Sequence, residues 1–283
     1  MIFVSSACVK NKYIGESVKQ LADYGFVNIE LSGGTQLYET LQADLLKLKK
    51  EYSLNYLCHN YFPPPVNPFV INLASLDQEI FDLSFKHIQN AIKLSELLGA
   101  EKYGFHAGFL INIPLKQVGK PIEKQTLFDR NIALQQFCKS FNELQKKYPK
   151  VQLYLENNVL STKNLENFKN INPFFMCDSK GYLELKQGID FGLILDVAHL
   201  KVSCKSLNLN FEEELKQLFS ASDYIHISDN DGLSDSNGPF NQDSQLFKEL
   251  KKLDFKNKIS TVEVYGSMKD IQESIEAVKQ LYL

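Results

Sequence analysis

The chain has 283 residues, 44% hydrophobic and 23% charged, with a formal net charge of −3 at pH 7. These are globular values, so disorder is not the default, and the slightly acidic balance argues against a general affinity for polyanions. Of the 31 basic residues only Arg130 is an arginine, so bidentate phosphate contacts of the kind common at nucleic-acid interfaces are nearly unavailable.

The elements follow in chain order. Ile2 to Ser6 reads as a short apolar strand, and a helix over Ile14 to Tyr24 stops at Gly25. Val27 to Leu31 is the next strand, ending in Glu30, Leu31 and a Gly33-Gly34 turn. A double glycine can cradle a phosphate, but a plain tight turn is the preferred reading. A helix around Tyr38 to Tyr52 leads to the strand Leu54 to Cys58, which stops at His59. The prolines 63, 64, 65 and 68 cannot pair in a sheet and place a loop at that strand end. A long helix over Leu76 to Leu98 is expected next, with Ser75 and Gln78 as its capping box and Gly99 as its stop.

Lys102 to Phe105 is a strand ending at His106, followed by a weakly patterned loop to about Glu123. Loops of that length usually carry function or mobility. A helix near Leu127 to Tyr148 precedes the strand Val151 to Leu155, which ends at Glu156-Asn157-Asn158. Helical segments near Lys163 and Gly181 to Lys186 lead to the strand Phe191 to Leu195, which delivers Asp196 and, three positions on, His199. After a helix over Phe211 to Ala221, the strand Asp223 to Ile227 carries His226 and opens into an acidic loop with Asp229, Asp231 and Asp235. A helix over Ser244 to Leu253 and a strand over Ile259 to Val264, with Glu263 near its end, come last. Ser267 and Asp270 then cap a closing helix to about Tyr282.

Eight strand–helix units without a linker predict a single (β/α)8 barrel over residues 1–283. An open doubly wound sheet is the alternative, disfavoured because no GxGxxG follows any strand. The five cysteines are far apart and form no CxxC pair, which reads as reduced thiols filling a core in a cytoplasmic protein. The N-terminal stretch turns polar too soon for a signal peptide, and no apolar run reaches the length of a membrane span.

Four of the five histidines, 59, 106, 199 and 226, fall at or just after a strand end, while His87 sits mid-helix as an ordinary surface or packing residue. In a (β/α)8 barrel the strand C-termini converge on one mouth, so these four face a common cavity with Glu156, Asp196 and Glu263. A carboxylate there is costly to bury unless it is paired or binds a cation. Mixed imidazole and carboxylate ligands suit Zn²⁺, Mn²⁺, Fe²⁺ or Co²⁺ better than Ca²⁺ or Mg²⁺. Taken singly, each such residue reads as a hydrogen-bonded structural group or a helix cap. The set together reads as a metal site. Asn60, Asn157 and Asn158 follow proposed ligands and are candidates for hydrogen bonds that orient them.

The ordered motifs HNYF at His59, FHAG at His106, LENN at Glu156, LDVAH at Asp196 and His199, HISDNDG at His226 and EVY at Glu263 resemble the xylose isomerase-like barrel superfamily. That group includes sugar and sugar-phosphate isomerases and epimerases and the endonuclease IV family. The resemblance implies a divalent ion (Mn, Zn, Co, Fe or Mg) held by Glu156, Asp196, His226 and Glu263. It also implies proton transfer through an enediolate, with Glu156 and Glu263 as the catalytic pair. It further implies a second site at His59, His106 and Glu156 and a third at His199 and Asp235, as in the trinuclear nucleases. In those nucleases a histidine stands two positions after the Asp235 equivalent, whereas this chain has Asn237. An amide oxygen is a poor zinc ligand beside an imidazole, which puts the third site in doubt. The expectation is therefore a metal-dependent isomerase or epimerase acting on a small carbohydrate. A zinc phosphodiesterase acting on abasic DNA is the alternative, and a barrel that only binds a sugar or metal is a third reading. Nucleic acid is not the expected partner and a membrane is not involved. A homo-oligomer built through the 109–125 and 229–243 loops or the long helices is compatible with the branch.

Overall fold

A computed structural model describes residues 1–283. Eight parallel strands close into a barrel in sequence order: β1 (Ile2–Ser5), β2 (Asn28–Leu31), β3 (Asn55–His59), β4 (Lys102–His106), β5 (Gln152–Glu156), β6 (Gly192–Asp196), β7 (Tyr224–Ile227) and β8 (Ile259–Val262). Closure comes from β1 against β8, with Phe3 opposite Thr261. The principal helices are α1 (Ile14–Asp23), α2 (Leu41–Tyr52), α3 (Gln78–Leu98), α4 (Arg130–Lys147), α5 (Thr162–Asn167), α6 (Ser179–Lys186), α7 (Val197–Leu207), α8 (Phe211–Ala221), α9 (Gln245–Leu250) and α10 (Met268–Leu281). The expected (β/α)8 barrel is the observed fold. None of its helices is long and apolar enough to cross a membrane.

Side chains alternate along each strand, so one set points outward and the other fills the barrel. Outward residues such as Cys58, Phe105, Leu155, Leu195 and Ile225 join the large core shared with the helices. Inward residues Phe3, Leu57, Tyr154, Ile194 and Tyr224 form a separate plug inside the barrel. Gly104 completes that plug by omission. A Cβ there would come within 2.1 Å of Ile194 Cδ1, so the branched side chain occupies space that any other residue on β4 would claim. Two residues further along each strand, on the same inward face, stand Ser5, His59, His106, Glu156, Asp196 and His226. The apolar plug thus forms the floor beneath a polar layer at the C-terminal mouth.

Two local expectations are corrected. Helix α3 begins at Gln78 rather than Leu76, and its cap is Asp77, whose carboxylate accepts from the backbone N–H groups of Glu79 and Ile80. Ser75 instead donates to the side chain of Asn112 at 2.8 Å, tying the start of α3 to the loop after β4. Glu263 lies just beyond β8 rather than within it. The five thiols are free, and all but the half-buried Cys138 are buried, as core filling requires.

The loop between β4 and α4 has one short 3-10 turn, Leu115–Gln117. It is held by its own apolar contacts: Phe109, Ile111 and Ile122 pack with Val70, Leu160, Phe168 and Phe174 in a cluster separate from the main core. Asn72 fastens the same loop by donating to the carbonyls of Phe109 and Ile111.

Candidate metal centre

The mouth collects its polar groups by register. His59, His106, Glu156 and Asp196 are the last residues of β3, β4, β5 and β6. His106 stands beside Glu156 on adjacent strands, and Asp196 stands beside His226. His199 arrives differently. Asp196 caps α7 by accepting from the His199 N–H at 2.7 Å, so the first helical turn folds His199 back over the strand end.

Glu156 is the hub. Its Oε2 lies 2.9 Å from His59 Nε2 and 3.3 Å from His106 Nδ1. Its Oε1 lies 3.1 Å from His226 Nδ1 and 3.9 Å from His199 Nδ1. Glu263 Oε2 reaches to 3.5 Å from the same His226 Nδ1. Potential ligand atoms of Glu156, Asp196 and His226 lie within 4.8 Å of one another, and so do those of His106, Glu156 and His199.

Two of these approaches are close without being hydrogen bonds. The buried Nδ1 atoms of His106 and His226 have no hydrogen-bond partner despite their nearness to Glu156. Nitrogen and carboxylate atoms that are close together but not hydrogen-bonded are within the spacing that ligands of one ion have. Orphaned buried polar atoms are expensive, so something outside the chain is expected to satisfy them. The residues therefore fit a divalent cation.

The imidazole tautomers agree. His199 Nδ1 is 3.0 Å from the carbonyl oxygen of Asn157, which can only accept, so Nδ1 carries the proton. Its Nε2 is left facing Asp235 Oδ2 at 3.1 Å and Asp196 Oδ2 at 3.9 Å. His226 Nε2 faces Glu30 Oε2 at 3.0 Å, which leaves Nδ1 for the cavity.

Burial and mutual attraction compete here. Burial favours a protonated Glu156, but His106, His59 and His226 outweigh it and hold the carboxyl well below its usual range. Burial would strip the protons from His59, His199 and His226, yet their carboxylate neighbours win and raise all three. For His106 burial prevails over Glu156, with His199 and His59 adding repulsion, and its value falls to about 4. Asp196 is pushed up to about 7 by burial, against the pull of His199 and with Glu156 and Asp235 adding to the push.

The surrounding asparagines have distinct tasks. Asn157 grips the backbone of Asp196, accepting from its N–H at 2.8 Å and donating to its carbonyl at 3.0 Å. Asn158 donates to the carbonyls of Ala107 and Phe175, both at 2.8 Å, and joins two mouth loops. Asn60 was expected to orient a ligand, but the side chains that meet it are not in the cluster: its backbone carbonyl accepts from Tyr103 at 2.6 Å and faces His87. His87 is a packing residue beneath Phe69, buried and lowered to about 4 by that burial. Asp229 is bound by Lys201 at 2.7 Å, and Asp231 caps its own turn; neither joins the cluster, whereas Asp235 does.

A cavity of about 860 Å³ opens above this layer. Its walls include Gly33, Gly34, Asn60, Phe109, Phe174, Asn237 and Tyr265. Gly33 and Gly34 form a bend with no turn hydrogen bond, where a tight turn was expected, and Gly34 has a φ of +93°.

The sequence matches the xylose isomerase-like TIM barrel family over residues 18–281. The chain belongs to that family. Comparison with curated proteins finds no match. Among solved structures, a D-tagatose 3-epimerase-like protein superposes with a TM-score of 0.72 at 19% identity, covering 99% of this chain and 96% of that one. An L-ribulose 3-epimerase gives 0.69 at 14% identity, with 99% and 94% covered. The endonuclease IV of Thermus thermophilus gives 0.63 at 12% identity, with 99% and 98% covered. These likenesses show a shared fold.

Within this xylose isomerase-like barrel, Asn237 stands at the cavity with a φ of +45° and its buried Oδ1 unpartnered. Sequence reasoning missed Glu30. It is fully buried on β2 and contacts His226, yet in the string NIEL it looks like any strand residue. Its inward direction shows only in the strand register, where Glu30 is opposite the inward Ser5 on β1.

Proposed function

We propose that this protein is a divalent-metal-dependent isomerase or epimerase of sugars or sugar phosphates. The observation that carries the reading is the meeting of Glu156 and Glu263 at one imidazole nitrogen, His226 Nδ1, with Asp196 beside it. Glu156, Asp196, His226 and Glu263 would hold the ion, which would polarise a substrate carbonyl and acidify the neighbouring C–H. Glu156 takes the proton from that carbon and Glu263 returns it, or the reverse, through an enediolate. His59, hydrogen-bonded to Glu156, fixes the orientation of that carboxylate. His106 and His199 face the cavity beside it, in reach of substrate hydroxyls. The neighbouring structures named for sugar 3-epimerases support the substrate class.

The test is Glu156→Gln, assayed with a panel of ketopentoses and ketohexoses in D2O with the metal retained. Loss of general base action costs about 10²–10⁴-fold in carbon–hydrogen exchange. Exchange at the parental rate would refute the assignment.

A second reading is a zinc phosphodiesterase of the endonuclease IV kind. It is favoured by the His106, Glu156 and His199 group and by the His199–Asp235 contact, which offer places for further ions. Asn237 and the near absence of arginine weigh against it. Three tightly held zinc ions with cleavage of an abasic duplex would reverse the order.

A further inference from the structure

We infer that Glu30 is a positioning residue that acts through His226, selecting which ring nitrogen faces the ion. The inference rests on the metal reading of the site above. Glu30 and His226 are both fully buried, and Nε2 lies 3.0 Å from Glu30 Oε2. The same oxygen accepts from Thr261 Oγ1 at 3.3 Å, and the other accepts from Ser32 Oγ at 3.4 Å. Ser32 is itself held by Ser5 at 3.0 Å, and Thr261 by Tyr224 at 3.1 Å. Every neighbour that orients this carboxylate is inside the barrel wall.

No lysine or arginine bridges Glu30; the side chain that meets its carboxylate most closely is the His226 imidazole, at 3.0 Å. A carboxylate buried this deeply is costly unless a strong donor meets it. The His226 N–H is that donor, and it becomes a better one when the opposite nitrogen binds a cation. A carboxylate can only accept from Nε2, so when the ring carries a single proton that proton sits on Nε2, and Nδ1 is free toward Glu156 and Glu263 on the other side of the ring. Carboxylate–histidine–metal arrangements fix ring orientation and raise ligand basicity in this way.

The experiment compares the parent with Glu30→Gln, both stripped by chelator and titrated with Mn²⁺ and Zn²⁺ by calorimetry. The amide preserves shape but can present either an acceptor or a donor to Nε2, so the tautomer is no longer enforced. The expected result is an unchanged stoichiometry, a metal-free thermal midpoint close to the parent's, and about 10–100-fold weaker binding. Affinity within about twofold of the parent, against that expected loss, would overturn the inference while leaving the metal site standing. Loss of one bound ion per chain would also overturn it, because Glu30, His59 and His226 lie close enough to be ligands themselves. A parent that binds no ion would remove the metal reading and this inference together. A second readout needs no variant: ¹⁵N spectra of the cadmium-loaded parent should show His226 protonated at Nε2 and metal-bound at Nδ1. The opposite assignment contradicts the inference.

Discussion

Asn157 holds the backbone of Asp196 from both sides, accepting from its N–H and donating to its carbonyl across the β5–β6 seam. The register of two strands is thereby locked at the point where two site carboxylates, Glu156 and Asp196, leave the sheet. Asn157 also offers its own carbonyl to His199 Nδ1, so one residue sets the position of an acid and the tautomer of an imidazole.

Asn157→Ala should therefore cost more than a typical polar deletion. It leaves the buried N–H of Asp196 without its Asn157 acceptor, at about 1–3 kcal/mol before relaxation, and removes a second donor from the carbonyl. Urea unfolding of the metal-free protein is expected to show the loss, with metal affinity falling alongside. Unchanged stability would mean that water replaces both contacts.

His87 provides a pH test away from the cluster of ligands. Burial lowers its value from 6.5 to about 4, so the fold binds fewer protons than the unfolded chain between those limits. Its contribution to stability is complete above 6.5 and is lost as pH falls toward 4. Stability of the chelated parent should thus decline through this window more steeply than that of His87→Leu. The difference in slope approaches about 1.4 kcal/mol per pH unit for one proton. Parallel curves from denaturant titrations at a series of pH values would contradict it.

Asn237→His tests whether that position limits a third site at His199 and Asp235. The position lines the cavity, its amide oxygen is unpartnered, and its positive φ is one that histidine tolerates better than most residues. With an imidazole beside His199 and Asp235, the variant should retain more zinc after dialysis than the parent. Equal zinc content by elemental analysis would show that Asn237 is not what limits the site.

The barrel was legible because strand alternation and strand-end chemistry are local properties. The strings NYLCH, KYGFH, QLYLE and GLILD each end in a residue too polar for an apolar strand, and each of those residues reached the mouth. Asp235 was legible only through resemblance, because its meeting with His199 spans an irregular loop and a helix turn. Glu30 was hidden for the opposite reason. A single acid in a short strand looks the same whether it faces water or the inside of a closed sheet, and its partner His226 lies 196 positions away. The start of α3 shifted because Ser75 and Asp77 both offer a capping oxygen. Ser75 is claimed by the Asn112 contact, and Asp77 takes the helix.

The central claim is that Glu156, Asp196, His226 and Glu263 are gathered for a cation. Its most direct measurement is the thermal midpoint of chelator-stripped protein as Mn²⁺, Co²⁺ or Zn²⁺ is added, paired with the number of ions bound per chain. Binding confined to the folded state stabilises by about 2.7 kcal/mol at a hundredfold excess over Kd. The midpoint should therefore climb with added ion, at least one ion should bind per chain, and both effects should be lost in Asp196→Ala. A midpoint indifferent to every divalent ion, with no ion bound at stoichiometric levels, would contradict it.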